Sequence, residues 1–220
     1  MFRFVFYTGV FLYGLVVLWS KHWLWDINGC FIEYPHHKVS TDVWFYYMVE
    51  MAFYWSLSFS QFFDVKRKDF WEMFIHHQAT IALIGFSWTT HFVRIGTLVL
   101  IVHDCGDPLL ELAKLLRYAK YCRASEAVLV VFTPIWVISR QETLSSSPSS
   151  PYCYLIPPYS RCVIYPGWIL KSTIFDAIKL SAAFPAYYFF NGLLCLLQCL
   201  HVMWTYLLFK VNSNILYLLT

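Results

Sequence analysis

The fold turns on two stretches, "FIHHQATIALIGFSW" (74–88) and "VLIVHDCGDPLLELAK" (99–114). The first is apolar enough to enter a membrane, yet it opens on adjacent histidines, His76 and His77. The second sets His103, Asp104, Asp107 and Glu111 among valines, leucines and an isoleucine. Only "HFV" (91–93) separates the apolar runs 74–90 and 94–112. With about 20 residues needed to cross a bilayer as a helix, the two runs predict a tight helical hairpin of spans.

The rest of the chain agrees. Of 220 residues, 59% are hydrophobic, 21% aromatic and 13% charged, where ordinary globular domains carry about 25% charge. Mean hydropathy is +0.54. These values describe a polytopic membrane protein. The net charge of +3 is too small to argue for nucleic acid, and no basic patch is interleaved with stacking aromatics. The cysteines (Cys30, Cys105, Cys122, Cys153, Cys162, Cys195 and Cys199) form no CxxC pair. They read as small hydrophobes rather than a disulfide framework or zinc finger. The N-terminus enters an apolar segment with no small-residue cleavage site, so a removed signal peptide is not expected.

Five runs read as spans: about 4–19, 43–60, 74–90, 94–112 and 186–209. Another begins at "SEAVLVVFTPIWVISR" (125–140), meets "QETLSSSPSSPYCYLIPPYSR" (141–161), and resumes at "CVIYPGWIL" (162–170). The Ser/Pro-rich stretch cannot stay helical. The halves 126–140 and 162–170 are each short for a span, and joined they make one of ordinary length. Ser-Arg stands at both edges of 141–161, so the stretch reads as an insertion inside a helix; a broken helix with a re-entrant loop is the alternative. The fold class is thus all-α, with about six transmembrane helices. Six spans put both termini on one side, together with Arg3, Lys66, Arg67, Lys68, Lys114, Arg117, Lys120, Arg123 and Lys210. That basic excess assigns this side to the cytosol.

Helical periodicity then places the polar groups. His76, Thr80 and Ser87 fall near one face, and His77 points about 100° away. Asp104 and Asp107 lie about 15–20 Å along the fourth span from Arg94, which brings them to the depth of the histidines. Asp104, Asp107, Glu111 and Lys114 share one face at i, i+3, i+7 and i+10, and His103 stands four residues before Asp107, where the two can pair. An Asp at mid-span costs at least about 2.5–3.5 kcal/mol on insertion scales. Taken singly, Glu50, Gln198 and His201 read as ties between helices. A cluster of histidines and carboxylates at one depth points to function. Imidazole beside carboxylate suits acyl transfer, one group acting as base or nucleophile and the other fixing its tautomer. A metal site is the rival, but adjacent histidines diverge on a helix, unlike the i, i+4 pair of zincins; no metal is expected. Tyr/Trp bands such as "WFYYM" (44–48) read as interfacial belts. The "DVKRKDFWE" loop (64–72) reads as a positive-inside anchor, or as a dock for the phosphates of an anionic cytosolic substrate.

"HHQATIALIGFSW…VRIGTLVLIVHDCGDPLLELAKLLRYAKY" (76–121) resembles the Lag1 motif of ceramide synthases, within the TRAM-Lag1-CLN8 (TLC) fold. "DVWFYYMVEMAFYWSLSFSQFFDVKRKDFWEMF" (42–74) and "FPAYYFFNGLLCLLQCLH" (184–201) are similar to the flanking family sequence. The resemblance implies a TLC-type domain over 1–210, interrupted at 141–161, with a short tail at 211–220. It implies helices around a lipid-binding tunnel open to the cytosol, in the endoplasmic-reticulum membrane. The reaction implied is N-acylation of a sphingoid base by fatty acyl-CoA. The acyl-CoA is a co-substrate, no cofactor is needed, and a homo- or hetero-dimer is compatible with it. His76, His77, Asp104 and Asp107 map onto the catalytic set, with His76 favoured as acyl acceptor because it shares a face with Thr80. His103, Thr80, Ser87, Arg94 and Glu111 are expected at substrate-binding positions, Arg94 and Glu111 structural first. Against the family pattern, the chain is expected to start at what resembles the second span, and to carry "KVNSNILYLLT" in place of the acidic C-terminal tail of many animal members. A non-enzymatic relative that binds or senses lipid is the competing class. Such relatives need not keep the His/Asp set, so its presence favours the enzyme.

Overall fold

A computed structural model of the chain describes residues 1–140, apart from 31, 33–35, 37, 66 and 67, and residues 185–219. The proposed insertion at 141–161 lies outside the described residues. Among those described, every regular element is helical: α1 (Phe2–Trp19), α2 (His22–Trp25), a 3-10 turn (Ile27–Cys30), α3 (Thr41–Phe63), α4 (Phe70–Thr89), α5 (Val93–Asp104), α6 (Asp107–Tyr118), α7 (Cys122–Arg140) and α8 (Pro185–Leu219). By length and composition, Phe2–Trp19, Cys122–Ser139 and Tyr188–Ser213 are long and apolar enough to cross a membrane. Helices α3 and α4 have the length, about 34 and 30 Å at 1.5 Å per residue, but carry Glu50, Gln61, His76, His77 and Gln78 among their apolar residues.

Two sequence expectations change here. The run 126–140 was expected to be short for a span unless joined to 162–170. Helix α7 instead begins at Cys122, because the polar residues Arg123, Ser125 and Glu126 extend the hydrophobic run as a first turn. The fourth span was expected as one helix. It breaks at Cys105 and Gly106. Pro108 stands in the first turn of α6, where its missing N–H costs nothing. The same residue could not continue α5, since it has no donor for the Asp104 carbonyl and its ring would crowd it.

The described residues divide into two compact units, those within 1–13, 99–140 and 201–219 in one and those within 14–98 and 185–200 in the other. In the second, α3 and α4 pack as a hairpin. The expected turn at 91–93 is present, and its backbone explains its tightness. His91 adopts φ 59°, Phe92 N–H bonds the Ser87 carbonyl at 2.8 Å, and His91 N–H bonds the Trp88 carbonyl at 3.3 Å. This is a Schellman cap with histidine at the left-handed position that usually takes glycine. Close packing continues inside the unit: the Tyr47 hydroxyl hydrogen-bonds Ser87 Oγ. A Cβ added at Gly96 would overlap that tyrosine hydroxyl and lie 3.1 Å from Ser87 Oγ. Ala79 and Leu83 of α4 form a core with Phe190, Leu194 and Leu197 of α8. The connection from α1 to α3 is pinned by Arg94, whose Nη1 donates to the carbonyls of Gly29 (2.9 Å) and Ile32 (3.0 Å) while its guanidinium lies 4.9 Å over the Trp23 ring. Cys30 is buried in this connection.

In the first unit, α6 and α7 form another hairpin. It closes with the same cap: Lys120 has φ 65°, Tyr121 N–H bonds the Leu116 carbonyl at 2.9 Å and Lys120 N–H the Arg117 carbonyl at 3.1 Å. Helices α7 and α8 are joined by two relays of one design. Thr205 Oγ1 donates to His201 O at 2.7 Å and accepts Trp136 Nε1–H at 3.0 Å. Thr133 Oγ1 donates to Leu129 O at 2.9 Å and accepts from Asn212 Nδ2 at 2.6 Å. In an apolar setting, each threonine thereby satisfies a buried donor from the neighbouring helix.

Candidate functional site

The predicted site residues fall into two groups, one in each unit. His76, His77, Thr80, Ser87 and Arg94 belong to the second unit; His103, Asp104, Asp107 and Glu111 belong to the first.

The histidines follow from α4 being regular: consecutive residues are rotated by about 100°. His77 turns inward and is 6% exposed, and His76 is partly exposed. Their ring centroids are 5.7 Å apart. Tyr54 of α3, itself buried, stands edge-on to both, at 6.4 Å from His76 and 6.3 Å from His77. His77 Nδ1 lies 3.1 Å from Gln61 Oε1. Gln61 Nε2 donates at 2.6 Å to the carbonyl of Phe70, in the first turn of α4. One turn along, Gln78 Nε2 donates to Ser58 Oγ at 2.6 Å. The face shared by His76 and Thr80 is present, and Thr80 Oγ1 donates to the His76 carbonyl at 2.9 Å. Ser87 Oγ donates to Ile84 O at 2.9 Å. These hydrogen bonds of Thr80, Ser87 and Arg94 hold helices and a loop.

The carboxylates sit at the break between α5 and α6. Asp104 ends α5 fully buried, and Asp107 is the first residue of α6. The single face expected for Asp104, Asp107, Glu111 and Lys114, and the i, i+4 relation of His103 to Asp107, presuppose an unbroken helix; Asp107 instead starts a new one. Glu111 pairs with Lys114 at 2.5 Å. His103 Nδ1 bonds the Val99 carbonyl at 2.7 Å, four residues back on its own helix.

Three residues stand beside these two groups that sequence reading did not place there. Tyr7 of α1 lies within electrostatic range of Asp107, Asp104 and Glu111; in the sequence it is one aromatic among many. His201 of α8 brings its ring to 4.9 Å from His103 and is flanked by Trp136 at 5.9 Å and Trp204 at 6.2 Å, where it had been read only as a tie between helices. Gln61 is the third. Its signal was an amide inside the apolar run "SLSFSQFF" (56–63), but nothing local connects it to a histidine sixteen positions later.

Residues 1–210 match the TLC domain family. The chain is 43% identical over 211 residues to ceramide synthase 5 of Homo sapiens, covering 96% of this chain and 48% of that protein. It is 36% identical over 215 residues to ceramide synthase 4 of Mus musculus, covering 98% and 49%. A ceramide synthase of Caenorhabditis elegans is 35% identical over 223 residues, covering 95% and 54%. The chain spans about half the length of the curated relatives it matches. With buried histidines and carboxylates on an all-helical, membrane-spanning framework, and a match across 1–210, the chain belongs to the TLC domain family.

Proposed function

We propose that the chain acts as a sphingoid-base N-acyltransferase, forming a ceramide or dihydroceramide from fatty acyl-CoA in the endoplasmic-reticulum membrane. The observation that carries this reading is the similarity to ceramide synthases along nearly the whole chain; the sequence also holds His76, His77, Asp104 and Asp107, which the resemblance maps onto the catalytic set. In the proposed arrangement six spans surround a lipid tunnel open to the cytosol.

The exposures support a division of labour between the histidines. His76, the more accessible ring, is the acyl acceptor, and the buried His77 serves as a base beside it. Its imidazole nitrogen attacks the thioester carbonyl, the C–S bond breaks with its electron pair, and CoA leaves as the thiolate. The amine of the sphingoid base then forms the amide C–N bond as the imidazole–acyl bond breaks. Asp104 or Asp107 takes the proton shed by the amine, which ends on the thiolate, giving the free thiol. Thr80, Ser87 and Arg94 act through the helices they hold, and His103 and Glu111 line the substrate path.

The test is expression in cells lacking sphingoid-base acylation, read by lipid mass spectrometry. The parent chain should restore ceramide. His76→Ala, His77→Ala, Asp104→Ala and Asp107→Ala should each remove it at unchanged protein level, with losses that do not add in combination. A folded, membrane-inserted parent chain that forms no ceramide would move it to the lipid-binding class.

A further inference from the structure

We infer that Gln61 is a positioning residue for His77, holding its imidazole in the tautomer with the proton on Nδ1 and the lone pair on Nε2. The inference builds on the acyl-transfer reading, naming the group that sets one of its two imidazoles. The two ends of the Gln61 amide are chemically distinct, and the structure fixes which is which. Its nitrogen donates to the Phe70 carbonyl at 2.6 Å, a group that can only accept. Its oxygen is therefore the end facing His77 Nδ1 at 3.1 Å. An amide oxygen also only accepts, so the contact requires a proton on Nδ1. A neutral imidazole has one N–H, and Nε2 is left with the lone pair that acts as base or nucleophile.

The anchoring is economical in covalent terms. Gln61 lies near the end of α3 and Phe70 begins α4, so one amide ties the two helices across their connection and orients a ring on the second. An amide differs from the carboxylate that commonly orients a histidine. It selects the tautomer without adding a negative charge that would hold a second proton on the ring. Among the described residues, the titratable rings of His76 at 5.7 Å and Tyr54 at 6.3 Å stand beside His77.

The test uses the full chain in membranes and compares Gln61→Leu with Gln61→Glu across pH. Leucine removes tautomer control, and ceramide formation should fall at least about tenfold at every pH with abundance retained. Glutamate cannot donate to Phe70 O, but its oxygen still accepts from Nδ1–H while its charge favours the imidazolium. Activity should persist, with the acidic limb of the profile moved up by about one pH unit. If both variants lose activity equally with an unmoved profile, Gln61 is only a helix tie and the inference fails. A readout independent of turnover is modification of His77 by diethyl pyrocarbonate, followed by peptide mass spectrometry. The reagent takes the unprotonated ring, so the modification midpoint in Gln61→Glu should move up in pH. An unmoved midpoint overturns the inference even in an active chain. A moved midpoint in a chain that makes no ceramide upholds it and sinks the acyltransferase reading instead.

Discussion

His77 lies within a 20-residue helix that runs without interruption from Phe70 to Thr89, whereas Asp104 and Asp107 flank a two-residue gap between helices of 12 residues each. The histidine is oriented by a side chain, through Gln61. The carboxylates are placed where the backbone changes, and Asp107 enters the first turn of α6, whose N–H groups have no partner within the helix and favour negative charge. The contrast follows from the chemistry of the groups. An imidazole has two inequivalent nitrogens, and only a directional partner can choose between them. A carboxylate has two equivalent oxygens and chiefly needs compensation for lost water, which the start of α6 supplies to Asp107.

If the histidine region depends on tight packing between continuous helices, it should tolerate crowding badly. Gly96→Val puts side-chain carbon into the Tyr47 hydroxyl and should cost about 2–3 kcal/mol, read as a lowered melting temperature in detergent. Adding Tyr47→Phe should return part of the loss by vacating the hydroxyl. A Gly96→Val chain that melts with the parent would break the comparison on this side.

The carboxylate region is tested by mending its gap. Pro108→Ala restores the missing N–H and allows α5 and α6 to join, so Asp107 loses its helix start. Acyl transfer should fall about tenfold, the scale of a modest misplacement of reacting groups, while abundance holds or rises. Full activity in Pro108→Ala would show that the interruption has no part in placing the carboxylates.

The hairpin caps supply a control common to both regions. His91 and Lys120 hold positive φ where a Cβ is unfavourable, so His91→Gly and Lys120→Gly should each stabilise by about 0.5–1 kcal/mol in thermal melts. Unequal gains would show that one side chain has a role beyond its cap. The smallest effect belongs to Asp42 at the start of α3. The Ser40 hydroxyl, joined by Lys21 at 2.9 Å and the Val43 N–H, lowers its carboxyl to about 2 in spite of opposing desolvation. A depressed folded value stabilises above the ordinary carboxylate range and is lost as pH falls toward 2. The side chain is 41% exposed, so Asp42→Asn should cost under about 1 kcal/mol at pH 7. That difference from the parent should vanish in melts near pH 2.

Hydropathy alone located α1, the α4–α5 turn and the spanning part of α8, because each is a run of apolar residues closed by a polar or strained turn. It misplaced the start of α7, where Cys122–Glu126 are helical for reasons of capping and pairing, with Ser125 Oγ on the Ala113 carbonyl at 2.8 Å and Arg117 near Glu126 at 3.7 Å. The break at Cys105–Gly106 was visible in principle. Periodicity carries Asp104, Asp107 and Glu111 along one face and is blind to Pro108, which is as acceptable in a first turn as it is disruptive inside a helix. The candidate histidines and carboxylates were legible because charge and imidazole are costly in an apolar run. Gln61 and Tyr7 were not, since a single amide or phenol among aromatics costs little and its partners lie on other helices.

Cys30 illustrates a different outcome of the Arg94 clamp. Burial pushes its thiol up to about 12, with Arg94 drawing it down and Asp26 adding to the rise. Near neutral pH the thiolate fraction is then on the order of 10⁻⁵, and thiolate is the form that exchanges with disulfides and meets electrophiles. A reactive sulfur is thereby made chemically silent chiefly by its burial. The connection between α1 and α3 should keep its redox state whether it faces a reducing or an oxidising compartment, and maleimide should pass Cys30 by while it labels the exposed Cys122 at the start of α7.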